Sequence, residues 1–133
     1  MNTMMTTILM AIAAVVPSKA KATTDLKKFV LVVRVPETYE TAQAKKAGPE
    51  WDKTLEYWKA QGAYVESFAF PQPGSIISGS DRQVEDGMIA WGGQKVVSIV
   101  VLQAKNRAQA IELAKRCPIL DYGGSVEVRE RPQ

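Results

Sequence analysis

Ala114-Lys-Arg-Cys117-Pro118-Ile-Leu-Asp-Tyr-Gly123-Gly124-Ser-Val126-Glu127-Val128-Arg129-Glu-Arg131-Pro132 ends the chain and decides how the rest is read. Proline lacks a backbone donor, so Pro118 stops whatever helix precedes it. The Gly123-Gly124 pair predicts a turn. Beyond the turn, residues alternate valine with charge, the period-2 pattern of a strand with one covered and one polar side. A strand of that kind requires partners, and the search for them runs upstream.

Lys28-Phe-Val-Leu-Val-Val-Arg-Val35 is rich in β-branched residues, ends at Pro36, and is apolar at both parities, the mark of a strand covered on two faces. Residues 36–47 form a polar connection with a helical turn through Glu40 to Lys46. Gly48-Pro49-Glu50 then opens a helix, since proline is favoured in a first turn. Trp51, Leu55 and Trp58 recur in it at helical spacing and Gly62 ends it. This stripe is expected to pack the helix on a sheet, with ligand stacking as the rival role for Trp51. A second strand covers Ala63 to Phe70, where Tyr64, Glu66, Phe68 and Phe70 form an aromatic row holding one carboxylate. If that row faces an enclosed space, desolvation would suit Glu66 to proton transfer. If it faces water, Glu66 is a surface charge.

Pro71-Gln-Pro-Gly74 breaks the strand, and a small hairpin from Ser75 to Glu85 turns at Gly79-Ser-Asp81 before Asp86-Gly87. Lys95-Val-Val-Ser-Ile-Val-Val-Leu-Gln103 is the most apolar strand and is expected to be central. Asn106 caps a second long helix, with Gln109 in the capping-box position and Ala110, Ile111, Ala114 and Cys117 along one side. Gly92-Gly93 does not open a helix after a strand, so it is no phosphate loop. The order predicts an α+β, ferredoxin-like βαββαβ domain: an antiparallel sheet with both helices on one face and an extra hairpin after the second strand. With both strand parities apolar, a second copy is the simplest cover for the other face, predicting a homodimer.

At 133 residues and 46% hydrophobic, the chain suits one domain. There is no histidine, which removes the commonest general base and transition-metal ligand. One cysteine excludes an internal disulfide and a cysteine-built zinc site. No metal or cofactor is expected. Residues 1–22 have the layout of a secretory signal peptide, with the apolar run Ile8-Leu-Met-Ala-Ile-Ala-Ala-Val-Val16 followed by Ala20-Lys21-Ala22. Cleavage leaves residues 23–133 as a single secreted or periplasmic domain; without it the protein is cytoplasmic. Loss of Lys19 and Lys21 lowers the basic count from 17 to 15 against 14 acids, so neither nucleic acid nor, for the mature form, a membrane is expected as a partner.

Asp86-Gly87, Ala110-Ile111-Glu112, Ala114-Lys-Arg-Cys-Pro118 and Val126-Glu-Val-Arg129, taken in order, resemble the YCII-related proteins, in the branch named for an Asp-Gly-Pro-Phe motif. The resemblance spans about Lys28 to Arg131. It implies a dimeric α/β barrel of ferredoxin-like subunits with a pocket between sheet and helices, and a small-molecule role. It also implies that Trp51 stands where some members carry a histidine and Cys117 where an aspartate often sits. With both of those replaced, an acid–base pair of that kind is lost, and after Asp86-Gly87 come Met88-Ile-Ala-Trp91 in place of Pro-Phe.

The expected function is therefore binding of a small acidic or aromatic molecule without histidine-based catalysis, with Trp51, Tyr64, Phe68, Trp91, Glu127 and Arg129 as binding residues. The alternative is an isomerase- or lyase-type enzyme using Asp86 or Glu66 for proton transfer and Arg129 to orient the substrate. A third reading is an accessory subunit whose hairpin recruits a partner. Cys117 is expected to be a buried structural thiol, since no histidine can activate it.

Overall fold

A computed structural model describes residues 26–132. The signal-peptide expectation for residues 1–22 lies outside the described residues. The chain forms β1 (Lys27–Pro36), α1 (Thr41–Ala60), β2 (Tyr64–Ala69), β3 (Gly74–Ser78), β4 (Gln83–Gly87), β5 (Gln94–Ala104), α2 (Arg107–Ala114), a 3-10 turn (Pro118–Tyr122) and β6 (Ser125–Glu130). Four strands make one sheet in the order β2-β5-β1-β6, and β3 and β4 pair separately as a two-stranded arm. Every neighbouring pair is antiparallel. The result is an α+β domain whose strand order is compatible with a ferredoxin-like fold, the sheet open within one chain.

Alternation along β1 builds the core. Phe29, Leu31, Val33 and Val35 are fully buried, and the residues between them are half-buried. Across the sheet Phe29 meets Leu102 and Leu31 meets Val100, so one face of both central strands lies beneath the helices. Trp58, Ala110, Leu113, Ala114, Cys117 and Ile119 close that layer, with Val126 and Val128 packed on its edge. Each buried apolar side chain of this size contributes about 1.5–3 kcal/mol. The two unlike sides read in the last strand are present: valines inward, Glu127 and Arg129 on the other face.

α1 corrects one expectation. It begins at Thr41, two turns before Gly48, and carries Pro49 inside it. An interior proline costs about 3 kcal/mol by removing a backbone bond and crowding the turn before it. Two features hold the early turns: Gln43 Oε1 accepts the Glu40 N–H at 2.9 Å, and Ala47 is fully buried. The stripe Trp51, Leu55, Trp58 packs on the core as expected.

α2 is shorter than expected, only eight residues. Asn106 caps it through an oxygen that accepts the Gln109 N–H at 2.9 Å, while Gln109 reaches back to accept from Lys105 N–H. Ile111 is 36% exposed and Leu113 takes its expected place inside. Positions 110, 113, 114 and 117 follow helical spacing, whereas 111 is turned about 100° from 110. α1 side chains donate to carbonyls at the end of α2 and just beyond it. Trp58 Nε1 donates to Leu113 O at 3.0 Å and the Thr54 hydroxyl to Arg116 O at 3.0 Å.

α2 ends at Ala114, ahead of the expected stop at Pro118, which instead starts the 3-10 turn that ends at Gly123 with φ +82°. That left-handed conformation favours glycine. Gly124 is constrained differently: a Cβ there would lie 2.5 Å from Arg34 O and 2.8 Å from Ile119 Cδ1. The turn therefore seats β6 on β1 with Ser125 opposite Arg34. Gly124→Ala is expected to lower stability by about 1–3 kcal/mol through overpacking against backbone. Urea unfolding checks it, and an unchanged midpoint would contradict this seating.

Candidate functional site

The face of the sheet turned from the helices collects the residues left over by the core. Across it run the rows Glu66-Val101-Val30-Arg129 and Phe68-Ile99-Val32-Glu127, with Val96 and Arg34 paired in the next row. The centre is apolar and the β6 side is charged. Arg34 Nη1 donates to Glu127 Oε1 at 2.7 Å, and Arg129 Nη1 to Glu127 Oε2 at 3.0 Å. Glu127 thus accepts from two guanidinium groups, one through each oxygen. Its carboxyl is held below the usual carboxylate range chiefly by the Arg34 hydrogen bond.

The expected aromatic row of β2 is split. Tyr64 pairs with Leu102, on the helix side, but Glu66 pairs with Val101 on the other, because the register slips between them. One extra residue in a strand reverses the side on which everything after it points. Tyr64 consequently packs toward the core, with its hydroxyl 2.7 Å from Ser67 Oγ and Lys59 above its ring. Glu66, Phe68 and Phe70 are exposed; the two rings are 52% and 44% accessible.

A cleft of about 700 Å³ opens where the sheet, the root of the arm and the segment before β5 meet. Phe70, Met88, Ile89, Trp91 and Val96 give it apolar lining, and Arg34 and Lys95 are among its residues. It does not lie between sheet and helices, where the resemblance placed a pocket; that space holds the fully buried Phe29, Leu31, Trp58, Leu102 and Ile119. Trp91 stands at 70% exposure. It is fixed by Trp91-Gly92-Gly93-Gln94, where Trp91 and Gln94 exchange both backbone hydrogen bonds, at 2.8 and 3.0 Å. Gly92 and Gly93 have φ +58° and +78°, the paired positive values that a tight hairpin turn needs. The two glycines thus serve the backbone.

The structure therefore separates the expected site residues. Glu66, Phe68, Glu127 and Arg129 share the sheet face away from the helices. Trp51 and Tyr64 lie on the helix side, Trp51 edge-on to Trp58 with centroids 6.3 Å apart. Asp86 is on β4, accepting from Ser75 Oγ at 2.6 Å, and Trp91 borders the cleft. Glu66, Asp86 and Arg129 are not among the cleft's lining residues. Met88, Ile89, Phe70, Val96, Arg34 and Lys95 were missed, because they come together only when the hairpin returns beside the sheet. Pro71 and Pro73, which also line the cleft, marked in the sequence the break at which it forms.

Cys117 is 2% exposed, and burial pushes its thiol up to about 12, far from the thiolate that nucleophilic chemistry needs. A smaller cluster joins the 3-10 turn to α1, where the Tyr122 hydroxyl donates to Glu50 Oε1 at 2.9 Å and Tyr39 meets the Tyr122 ring edge-on. The hydrogen bond to Glu50 raises the Tyr122 phenol, and burial raises that of Tyr39. Among the described residues no group of three or more His, Cys, Asp or Glu could hold a metal ion, and no helix is long and apolar enough to cross a membrane.

A scan against protein-family models matches none, and no curated protein matches the chain. Among solved structures, a hydantoinase/carbamoylase family amidase from Burkholderia ambifaria aligns over 80% of this chain at 16% identity, with a TM-score of 0.33. This chain spans 28% of that structure's length, and a likeness so distant carries no argument about function.

Because the carboxyl of Glu127 is lowered on folding, its contribution to stability is present above the ordinary glutamate range of about 4.3 and is lost as pH falls through the folded value. Glu127→Gln removes that contribution. The melting temperatures of the two proteins should therefore differ at neutral pH and converge in acid. A gap that widens on acidification would contradict the assignment.

Proposed function

We propose that this is a YCII-related protein that binds a small molecule as a homodimer, without histidine-based catalysis. The observation that carries the binding reading is the cleft, with Phe70, Met88, Trp91 and Val96 offering apolar and aromatic contact beside Arg34 and Lys95. Clefts of this size lined by apolar groups with a few polar ones suit small ligands. A flat aromatic molecule with an acidic group matches that lining, the ring against Trp91 and the acid toward the two cations. The family reading rests on the ordered motifs from Asp86 to Arg129 together with the observed strand order.

The dimer reading rests on the sheet face opposite the helices. Val30, Val32 and Ile99, half-buried, form its middle beside the buried Val101, and the exposed Phe68 and Val96 extend it; exposed apolar area of this kind marks an interaction surface. A second copy of the chain covers it by two-fold symmetry. The enzyme alternative requires Glu66 or Asp86 beside a bound substrate. Glu66 is exposed on the sheet and Asp86 is held by Ser75, so the geometry favours binding.

Ligand binding is tested with 1-anilinonaphthalene-8-sulfonate, an aromatic anion, titrated into the full chain. Trp51 and Trp58 pack on the core, so Trp91 is the tryptophan that a cleft ligand would quench. Wild type is expected to bind and Trp91→Ala to bind about tenfold more weakly or worse, the loss of one good aromatic contact. Equal affinity for both proteins would remove the cleft as the site.

A further inference from the structure

The arm β3–β4 contributes nothing to the core. Its strands pair with each other and form a sheet of their own. All their residues are exposed except Ile76 and Gly87, which are half-buried. A lone two-stranded ribbon is marginal in water, so an arm of this kind gains most from a surface to lie on. Its register sets Ile77 opposite Val84, an apolar pair left 65% and 61% exposed. Ser75 and Asp86, one alternation nearer the root, are on the same side of the ribbon. The arm holds three acids, Asp81, Glu85 and Asp86, against Arg82.

The sheet face away from the helices is its complement. Val30, Val32, Ile99 and Val101 are apolar at the centre, and the surrounding charges are four cations, Lys28, Arg34, Arg129 and Arg131, against Glu66 and Glu127. Arg131 and Lys28 also border a small groove at the end of that face. Both partners thus pair an apolar centre with charge of opposite sign, the arrangement that steers association and fixes register. The arm springs from the strand-end region that carries Arg34 and Val96, as the shared cleft shows.

We propose that the arm of each protomer docks on the sheet of a second copy, Ile77 and Val84 against the apolar centre and Asp86, on the same side of the ribbon, toward the Arg129 and Arg131 edge. The proposal rests on the dimer reading and adds the segment that clasps it. It also gives Asp86 a role, as an interface charge presented by the arm. By two-fold symmetry the contact occurs twice, so a change in one chain is felt at both sites.

Sedimentation velocity on the full chain tests it, with circular dichroism confirming that each variant folds. Ile77→Ser combined with Val84→Ser is expected to raise the dimer dissociation constant at least about tenfold, as loss of a central apolar anchor does. Asp86→Lys, an exposed change that leaves the core untouched, should raise it as well, with an effect that shrinks at high salt. If wild type is a dimer and neither variant shifts the constant, the arm proposal is overturned while the dimer stands. A wild-type chain that is monomeric at micromolar concentration overturns both.

Discussion

Gly124 runs so close to the Arg34 carbonyl that no side chain fits between them, and through that contact the last strand takes its register on β1. Gln94 reinforces the seating from the next strand, donating through Nε2 to Gly123 O at 3.2 Å and accepting through Oε1 from Ser125 Oγ at 2.7 Å. Side chains in a strand alternate, so a slip of one residue would expose Val126 and Val128 and drive Glu127 and Arg129 beneath the helices. A desolvated charge left without a partner costs several kcal/mol. The turn thus does two things at once: it completes the core on one side and assembles the Arg34-Glu127-Arg129 group on the other.

From that division the rest of the molecule follows. The helix side is closed over the buried core, with Trp58 and Thr54 donating to carbonyls at the end of α2 and just beyond it. Cys117 sits there as one more packed side chain. The other side carries the apolar centre of the sheet and the charges beside it.

Much of this arrangement was legible in the residues because it is local. The unlike sides of β6, the apolar runs of β1 and β5, the Asn106 cap and the hairpin near Gly79 all follow from short periodicities and turn chemistry. What escaped is what tertiary contact decides. Pro49 marked a helix start by its usual preference, yet a buried Ala47 and the Glu40–Gln43 contact carry α1 two turns further back. The slip near Val65 left no mark in the sequence, and it separates Tyr64 from Glu66 and Phe68. The cleft draws on four stretches of chain, so no single motif encodes it.

The central claim is that adjacent positions of β6 belong to opposite worlds, and one matched pair of substitutions tests it. Val128→Asp and Arg129→Asp place the same carboxylate one residue apart, and urea unfolding reads the consequence. The account predicts a loss of at least about 3 kcal/mol for Val128→Asp, from an unpaired charge at the edge of the core. It predicts less than about 1 kcal/mol for Arg129→Asp, where the side chain is 71% exposed. The reverse ranking, or equal losses, would contradict it.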